Sequence, residues 1–310
     1  MNARVAALVA TYRRPIELTR LLHALAAVPH GLDLVVVVDN AGSEETRALL
    51  ENARCPTRYV APGENLGCGG GLKRAGEEAL RVGGATLTHL WILDDDALPT
   101  ADTLSALLDA MAREGADAAC PLVLGPDGRL GWTPGFKSRV DERAARLCAT
   151  PEELRARFGS APLPFTWTQG ISLLVSRRAV ETLGLHRPDF WVRGEDLEWS
   201  LRLTARYRGI VVPTVVVQHL PPAEISAASR KGEYLKHAAM LQNIVYLSLR
   251  LPHGRRIARS IVPTIARFVR MWGMRSIIDV ARALVRGAVQ AEPAGTGTGA
   301  TFNHRSRSLG

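Results

Sequence analysis

Three consecutive carboxylates, Asp94, Asp95 and Asp96, directly follow the apolar run Leu90-Trp91-Ile92-Leu93. Acidic side chains emerging together from the end of a buried strand are costly unless a cation answers them. Hard divalent ions such as Mg2+ or Mn2+ prefer carboxylate oxygens and a diphosphate, and alternate residues of an extended segment project Asp94 and Asp96 toward one ligand. An Asp-rich helix cap ahead of Pro99 and Asp102 fits the same run. Glu195-Asp196, in Phe190-Trp-Val-Arg-Gly-Glu-Asp-Leu-Glu-Trp199, sits where a helix begins, so it reads either as a cap or as a general base for an acceptor hydroxyl. His219 ends the apolar run Val215-Val-Val-Gln-His219, where imidazole completes a metal site, holds a phosphate, or is simply a satisfied surface histidine.

Two further strand ends carry polar groups. Asp39, in Val-Val-Asp39-Asn40-Ala-Gly42, can accept hydrogen bonds from a base N–H or ribose hydroxyls, or can belong to an ordinary turn. Thr11-Tyr12-Arg13 closes the first strand and lines the same nucleotide pocket, unless it is a plain loop. Asn65-Leu-Gly67-Cys-Gly-Gly-Gly71 enters a helix and leaves backbone N–H groups open to a phosphate or sugar. It fails the dinucleotide fingerprint because Leu72 stands where the third glycine is required and the loop does not follow the first strand. A nicotinamide-dependent dehydrogenase is thereby disfavoured.

The elements that must position these groups follow from periodicity. Val5 to Ala10 reads as a strand, and Pro15 to Ala26 as a helix with Leu18, Leu21, Leu22 and Leu25 at helical spacing. Leu34 to Val38 is β-branched and unalternating, as in a parallel strand covered on both faces. Helix 44–51, strand 57–60, helix 72–82, strand 89–93 and helix 101–114 continue the alternation. Between about residues 125 and 165 the pattern weakens around a short helix at 152–157, which reads as a variable insertion. Strand 171–175, helix 178–183, helix 197–207 and strand 210–217 complete an α/β unit whose ligands belong at the carboxyl ends of the strands.

At 310 residues and 46% hydrophobic composition the chain can bury one substantial core with a smaller appended region. Its net charge of +9 is unevenly spread: residues 1–229 hold 25 Lys+Arg against 27 Asp+Glu, and residues 230–310 hold 14 against 3. A near-neutral body with a basic tail argues against nucleic acid as partner and points the tail at an anionic membrane surface. Pro263 to Trp272 and the segment after Gly273 are amphipathic, the second gathering Ile277, Ala281, Leu284, Val285 and Ala288 away from Arg275, Arg282 and Arg286. Lying on a membrane or packing on protein are the two readings of these helices. From residue 291 the composition suggests disorder. Cys55, Cys68, Cys120 and Cys148 form no C-x-x-C pair, which suits a reducing cytoplasm, and no signal peptide or spanning helix is expected.

Val9-Ala-Thr-Tyr-Arg-Arg14, Val38-Asp39-Asn40, Asn65-Leu-Gly67, Leu93-Asp-Asp-Asp-Ala-Leu-Pro99, Gln169-Gly170 and Gly194-Glu-Asp-Leu-Glu-Trp-Ser-Leu-Arg202 resemble, in order, the motifs of family 2 inverting glycosyltransferases. The resemblance covers about residues 4 to 222. It implies the GT-A fold, a mainly parallel central sheet flanked by helices, here with a C-terminal helical tail. It also implies roles: Asp39 and the Thr11 region on the nucleobase, Asp94 near the ribose, Asp96 on the metal, Asp196 as base, and His219 as a further metal or diphosphate ligand. Asp95, Asn65, Gly67, Gln169, Gly170 and Glu195 join the substrate-binding set. Trp167 is a candidate sugar-stacking surface beside Gln169-Gly170, ahead of Trp132 and Trp191, though aromatics of this kind also serve as core.

Within the family, the triple Asp, the glycine loop and Arg193-Gly194-Glu195-Asp196 are most similar to bacterial galactofuranosyl- and rhamnosyltransferase-type members. Cys68 and Leu72-Lys73 depart from that pattern. The implied donor is a UDP- or dTDP-sugar, and the implied acceptor a glycan or polyprenyl-linked glycan of the cell surface, met at the inner face of the membrane. The expected organisation is a catalytic domain at 1–225, a basic helical region at 226–290 and a disordered end at 291–310. A nucleotidyltransferase with Arg13-Arg14 on phosphate, and a sugar-nucleotide sensor without turnover, are the competing functions.

Overall fold

The computed structural model describes residues 3–29, 32–136, 140–221, 227–250 and 257–290. Strands β1 (Val5–Thr11), β2 (Leu32–Asp39), β3 (Thr57–Val60) and β4 (His89–Asp94) alternate with helices α1 (Pro15–Ala26), α2 (Glu44–Glu51) and α3 (Gly67–Gly83). They form a parallel block in the order β3-β2-β1-β4. The unalternating runs of β1 and β2 have a direct cause. Ala6, Leu8, Val36 and Val38 face Leu72, Ala75 and Ala79 of α3. Val5, Ala7, Val9, Val35 and Val37 face Leu18, Leu21, Leu22 and Leu25 of α1. Both faces are covered, and each fully buried Val or Leu contributes about 1.5–3 kcal/mol before entropy is charged against it.

The chain continues through β5 (Ala97–Pro99), α4 (Thr103–Glu114), β6 (Ala118–Leu124), β7 (Leu130–Trp132), β8 (Gly135–Phe136), α5 (Glu142–Ala145), α6 (Pro151–Phe158), β9 (Leu163–Trp167), β10 (Ser172–Ser176), α7 (Arg177–Leu183), α8 (Glu195–Thr204) and β11 (Gly209–His219). Beyond β4 the sheet is mixed: β10 lies antiparallel between β4 and β6, and β6 and β11 pair in parallel. The region read as a variable insertion is built into the sheet, because β7 pairs with β6 and β9 with β11. Residues 137–139 within it, and the side chain of Trp132, lie outside the described residues.

Three helices follow: α9 (Ala227–Arg250), α10 (Ile261–Trp272) and α11 (Ile277–Val289). They share a small core of Leu241, Phe268, Val280 and Ala283, and α9 joins the body through Phe190, Tyr246 and Leu247. The two segments read as amphipathic, α10 and α11, each bury one face against α9. The expected face of α11 is corrected. Val280, Ala283 and Gly287 are buried while Ile277, Ile278, Val285 and Val289 are exposed, because α11 needs small residues against α9: a Cβ on Gly287 would lie 2.3 Å from the Gln242 carbonyl oxygen. The boundary near 226, the segment 291–310 expected to be disordered, and the side chain of Arg275 fall outside the described residues. No described helix is long and apolar enough to cross a membrane.

One buried group makes stability pH-dependent. His186 is 4% exposed, stacks on Trp199 with centroids 5.3 Å apart, and its Nδ1 has no hydrogen-bond partner. Burial, with Arg202 nearby, pushes its pKa down to about 3 from 6.5. Below about pH 6.5 the unfolded chain therefore binds a proton that the folded chain refuses, so this group's stability contribution is complete above pH 6.5 and is lost as pH falls toward 3. Between pH 7 and 5 the loss is about 2 kcal/mol. Urea unfolding of His186→Phe across that range will show a flatter dependence than the parent; parallel curves would reject the assignment.

Candidate active site

The carboxyl ends of β1, β2 and β4 are level, with Thr11 opposite Asp39 and Ala10 opposite Asp94. β5 then runs antiparallel to the end of β11, placing His219 opposite Ala97. This register gathers Asp94, Asp96 and His219 so that one ligand atom from each lies within 4.8 Å of the others. His219 Nε2 is 2.9 Å from Asp96 Oδ1 and 3.9 Å from Asp94 Oδ2. Two carboxylates and an imidazole are a donor set that Mn2+ or Mg2+ accepts.

The electrostatics of the cluster favour a cation. Burial, reinforced by Asp96, pushes Asp94 up to about 8, although its side chain is 37% exposed toward the cleft. Burial opposes the charge on Asp96 as well, yet His219 and Arg14 outweigh it and hold Asp96 below its ordinary value. His219 is raised in turn, Asp96 and Asp94 outweighing burial.

Asp95 is turned elsewhere. It accepts from Thr11 Oγ1 at 2.7 Å and from Arg14 Nη1 at 2.7 Å, and the same Arg14 nitrogen reaches Asp96 Oδ2 at 2.8 Å. Arg14, legible in the sequence only as half of a basic pair, thus neutralises the middle of the triplet and orients Asp96. The signal was available, since Arg14 continues the Thr11-Tyr12-Arg13 run. Thr11 is buried against Asp95, whereas Tyr12 and Arg13 are exposed, with the Arg13 guanidinium 5.2 Å from the Tyr12 ring centroid and Arg13 at φ 57°.

Asp39 does not face the cleft. It is 0% exposed and accepts from Ala41 N at 2.9 Å and Ser43 N at 2.8 Å. Its carboxylate therefore holds its own turn. The adjacent Asn40 accepts from Leu66 N at 3.0 Å and donates to the Gly67 carbonyl at 3.2 Å, fixing the entry to α3.

The glycine run also differs from expectation. It forms the first turn of α3 rather than a loop before Leu72, and protein backbone already fills its surface. A Cβ on Gly67 would fall 2.1 Å from the Trp191 carbonyl oxygen, and one on Gly69 would fall 2.3 Å from that of Phe190. Cys68 N donates to Trp191 O at 2.7 Å. Asn65 is exposed, caps Gly67 N through its side chain at 2.9 Å, and accepts from Trp191 Nε1 through its carbonyl at 3.3 Å.

Glu195 and Asp196 form the first turn of α8, not the loop before it. Asp196 Oδ1 accepts from Leu197 N at 2.7 Å. Gly170 lies against it, since a Cβ there would be 3.5 Å from the Asp196 Cβ. Gln169-Gly170 is tied on one side to β4, with Asp94 N donating to Ile171 O at 3.1 Å, and on the other to α8, with Ser200 Oγ donating to Thr168 O at 3.1 Å. Asp94 and Asp196 are close enough to raise one another's proton affinity. Burial is the main cause of the raised pKa of Asp196, with backbone N–H groups opposing it. Burial, then Asp196, pushes Glu195 up to about 8, and Cys68 meets it from α3. Burial and the neighbouring charge thus raise the proton affinity of Glu195, while backbone N–H donors favour the anion of Asp196. Trp167 is half-buried and packs on Gly135, where a Cβ would be 1.9 Å from its Nε1; Trp191, on the loop between α7 and α8, contacts Asn65 and Cys68.

A sheet that delivers a carboxylate-imidazole cluster and a helix-borne acid pair to one edge has the GT-A architecture. Solved structures of similar fold include S. aureus TarS 1-349 in complex with UDP-GlcNAc, with TM-score 0.59 at 14% identity over 92% of this chain and 80% of that one. They also include the Pyrobaculum calidifontis mannosyltransferase PcManGT in complex with GDP-Man and Mn2+, with TM-score 0.53 at 20% identity over 94% of this chain and 77% of that one. The chain belongs to glycosyl transferase family 2, whose family model matches residues 7–167. It is 29% identical over 208 residues to the galactofuranosyltransferase GlfT1 of Mycobacterium tuberculosis strain H37Rv, the match covering 66% of this chain and 65% of that protein. The same figures hold for GlfT1 of strain CDC 1551.

Proposed function

We propose that the chain is an inverting hexosyltransferase that moves galactofuranose or rhamnose from a UDP- or dTDP-sugar to a glycan or polyprenyl-linked acceptor in cell-surface polysaccharide synthesis. One observation carries this reading: Asp196, backed by Gly170 and Leu197 N, lies close enough to Asp94 of the Asp94-Asp96-His219 cluster to raise its proton affinity. The name of the mycobacterial relatives favours galactofuranose as the sugar.

In this reading Asp196 takes the proton of the acceptor hydroxyl as its oxygen attacks the anomeric carbon. The bond from that carbon to the diphosphate oxygen breaks, and its electron pair leaves with the nucleoside diphosphate. Configuration inverts because there is a single displacement. Asp94, Asp96 and His219 would hold Mg2+ or Mn2+, which when bound supplies charge stabilisation to the departing diphosphate. Arg14 keeps Asp96 aimed, Thr11 and Asp95 close the floor, and Asn65 with the Asn40-fixed turn borders the donor. Tyr12 and Arg13 are open to the nucleotide. Glu195 stands beside Asp196 on the acceptor side, and Gln169-Gly170 shapes the acceptor's approach.

The test is release of free nucleoside diphosphate from a panel of sugar nucleotides, with membrane extract as acceptor and with Mn2+, Mg2+ or chelator. Metal-dependent release from one donor, absent from Asp196→Asn, is expected. Donor binding with no turnover in any extract would replace the reading with a sensor. Release of pyrophosphate from a nucleoside triphosphate and sugar phosphate would replace it with a nucleotidyltransferase.

The reading extends to the membrane. On α11, Ile278, Val285 and Val289 are exposed beside Arg282 and Arg286, with Met274 exposed in the turn just before it, the combination an anionic bilayer surface binds. Sedimentation with phosphatidylglycerol vesicles will be salt-sensitive and will be lost in Ile278→Glu/Val285→Glu; undiminished binding of that variant would remove the helix from the contact.

A further inference from the structure

The loop before α8 is held in a conformation it would not adopt alone. Arg193 has φ 60° and Gly194 φ 111°, both in the left-handed region, immediately before Glu195-Asp196. Glycine adopts it freely, but Arg193 is held there at a cost and needs outside support. That support comes from α9. Asn243, 1% exposed, donates from Nδ2 to the carbonyls of Val192 at 3.3 Å and Arg193 at 3.0 Å. Its Cβ would be 3.3 Å from a Cβ on Gly194. Arg193 pairs with Glu233 at 2.8 Å, and Glu233 is itself held by Lys236 at 2.9 Å. One turn beyond Asn243, Tyr246 accepts from Arg187 and meets Phe190 edge-on at 5.4 Å. The same 187–194 loop presses on Gly67 and Gly69 at the start of α3. Helix α9 therefore braces a piece of chain that touches the donor side through α3 and the base through α8.

We propose that Asn243 is a positioning residue for the base: its two hydrogen bonds hold the Val192–Gly194 backbone so that Asp196 points at the acceptor oxygen. The C-terminal helices are then part of the catalytic apparatus and not only an attachment. This rests on Asp196 being the base, so its test carries a separate arm for that premise.

A displacement of about 1 Å of a reacting group costs up to about 10²-fold in rate. Asn243→Ala and Asn243→Asp, the latter keeping size but losing the donor, are expected to lower kcat for the sugar nucleotide turned over in the panel by about 10- to 100-fold. KM for that donor, and affinity for UDP with Mn2+ by calorimetry, stay within about twofold, while the pH at which kcat is half-maximal moves, because the base sits in an altered environment. Unchanged kcat in the folded variants overturns the proposal, as does UDP affinity that falls in step with kcat, which marks general loosening. Should Asn243→Ala not fold, Glu233→Gln, which leaves the buried amide in place and releases Arg193, carries the test with the same expected split. If Asp196→Asn retains turnover, the premise fails whatever Asn243 does; if Asp196→Asn is inactive and all brace variants are fully active, the brace alone fails.

Discussion

Asp196→Asn will lower kcat for sugar transfer by about 10²- to 10⁴-fold, the span a general base contributes, while leaving donor affinity within about twofold. The amide is isosteric, and its oxygen can keep the contact from Leu197 N, so the loss isolates proton removal. A second consequence has the opposite sign. Asp196 is raised by burial in the folded chain, so ionising it costs folding free energy at any pH above its unfolded value of about 3.8. Removing that charge should therefore raise the melting temperature at pH 7 even as activity disappears, a trade between function and stability expected of buried catalytic groups. In the parent, kcat should fall as the solution is acidified through the raised pKa, since the proton acceptor is then occupied. A variant with full transfer activity, or one that loses activity only by losing donor affinity, would remove Asp196 from the base role.

His219→Ala will abolish divalent-ion dependence and lower kcat by about 10²- to 10³-fold, on the basis that charge stabilisation at the leaving diphosphate amounts to several kcal/mol and each 1.36 kcal/mol is tenfold. The check that does not depend on turnover is thermal. Asp94 and Asp96 crowd like charges at one strand end, so millimolar Mn2+ should raise the melting temperature of the parent, by mass action on the folded state. The same addition should leave His219→Ala nearly unmoved. Asp96→Asn is expected to behave as His219→Ala does, because the two groups lie 2.9 Å apart in one cluster. Equal Mn2+ stabilisation of parent and both variants would place ion binding elsewhere.

Much of this arrangement was readable from the chain. The unbroken β-branched run of β2 required cover on both faces, and α1 and α3 provide it. A strand ending in three aspartates called for cationic partners, and the fold brings His219 to Asp94 and Asp96 and Arg14 to Asp95. Glu195-Asp196 was legible as an acid pair at a helix start, but the helix takes both into its first turn and does not leave them in the loop ahead of it. The glycine run was legible as a place of close approach, but not its occupant. Any backbone can fill the space a missing Cβ leaves, and here it is that of Phe190 and Trp191. Asp39 was legible as a strand-end carboxylate, but both oxygens satisfy the N–H groups of its own turn, a local competition for hydrogen bonds that residue type alone does not decide. The apolar pattern of α11 was visible as amphipathic; which of its two apolar stripes is covered depends on α9 supplying a surface that Gly287 can approach.

By itself, then, the sequence determined the local order of strands and helices, the covered faces of the parallel block, and the residue types at each strand end, because periodicity and side-chain chemistry act over a few neighbours. Tertiary structure alone decided that His219 meets Asp96, through the antiparallel register of β5 on β11, and that Asn243 of α9 supports the backbone before Asp196. Both juxtapositions join segments far apart in the chain. They depend on sheet order, register and helix packing, which are set by the burial of the whole core at once and leave no mark in the spacing of the residues they bring together.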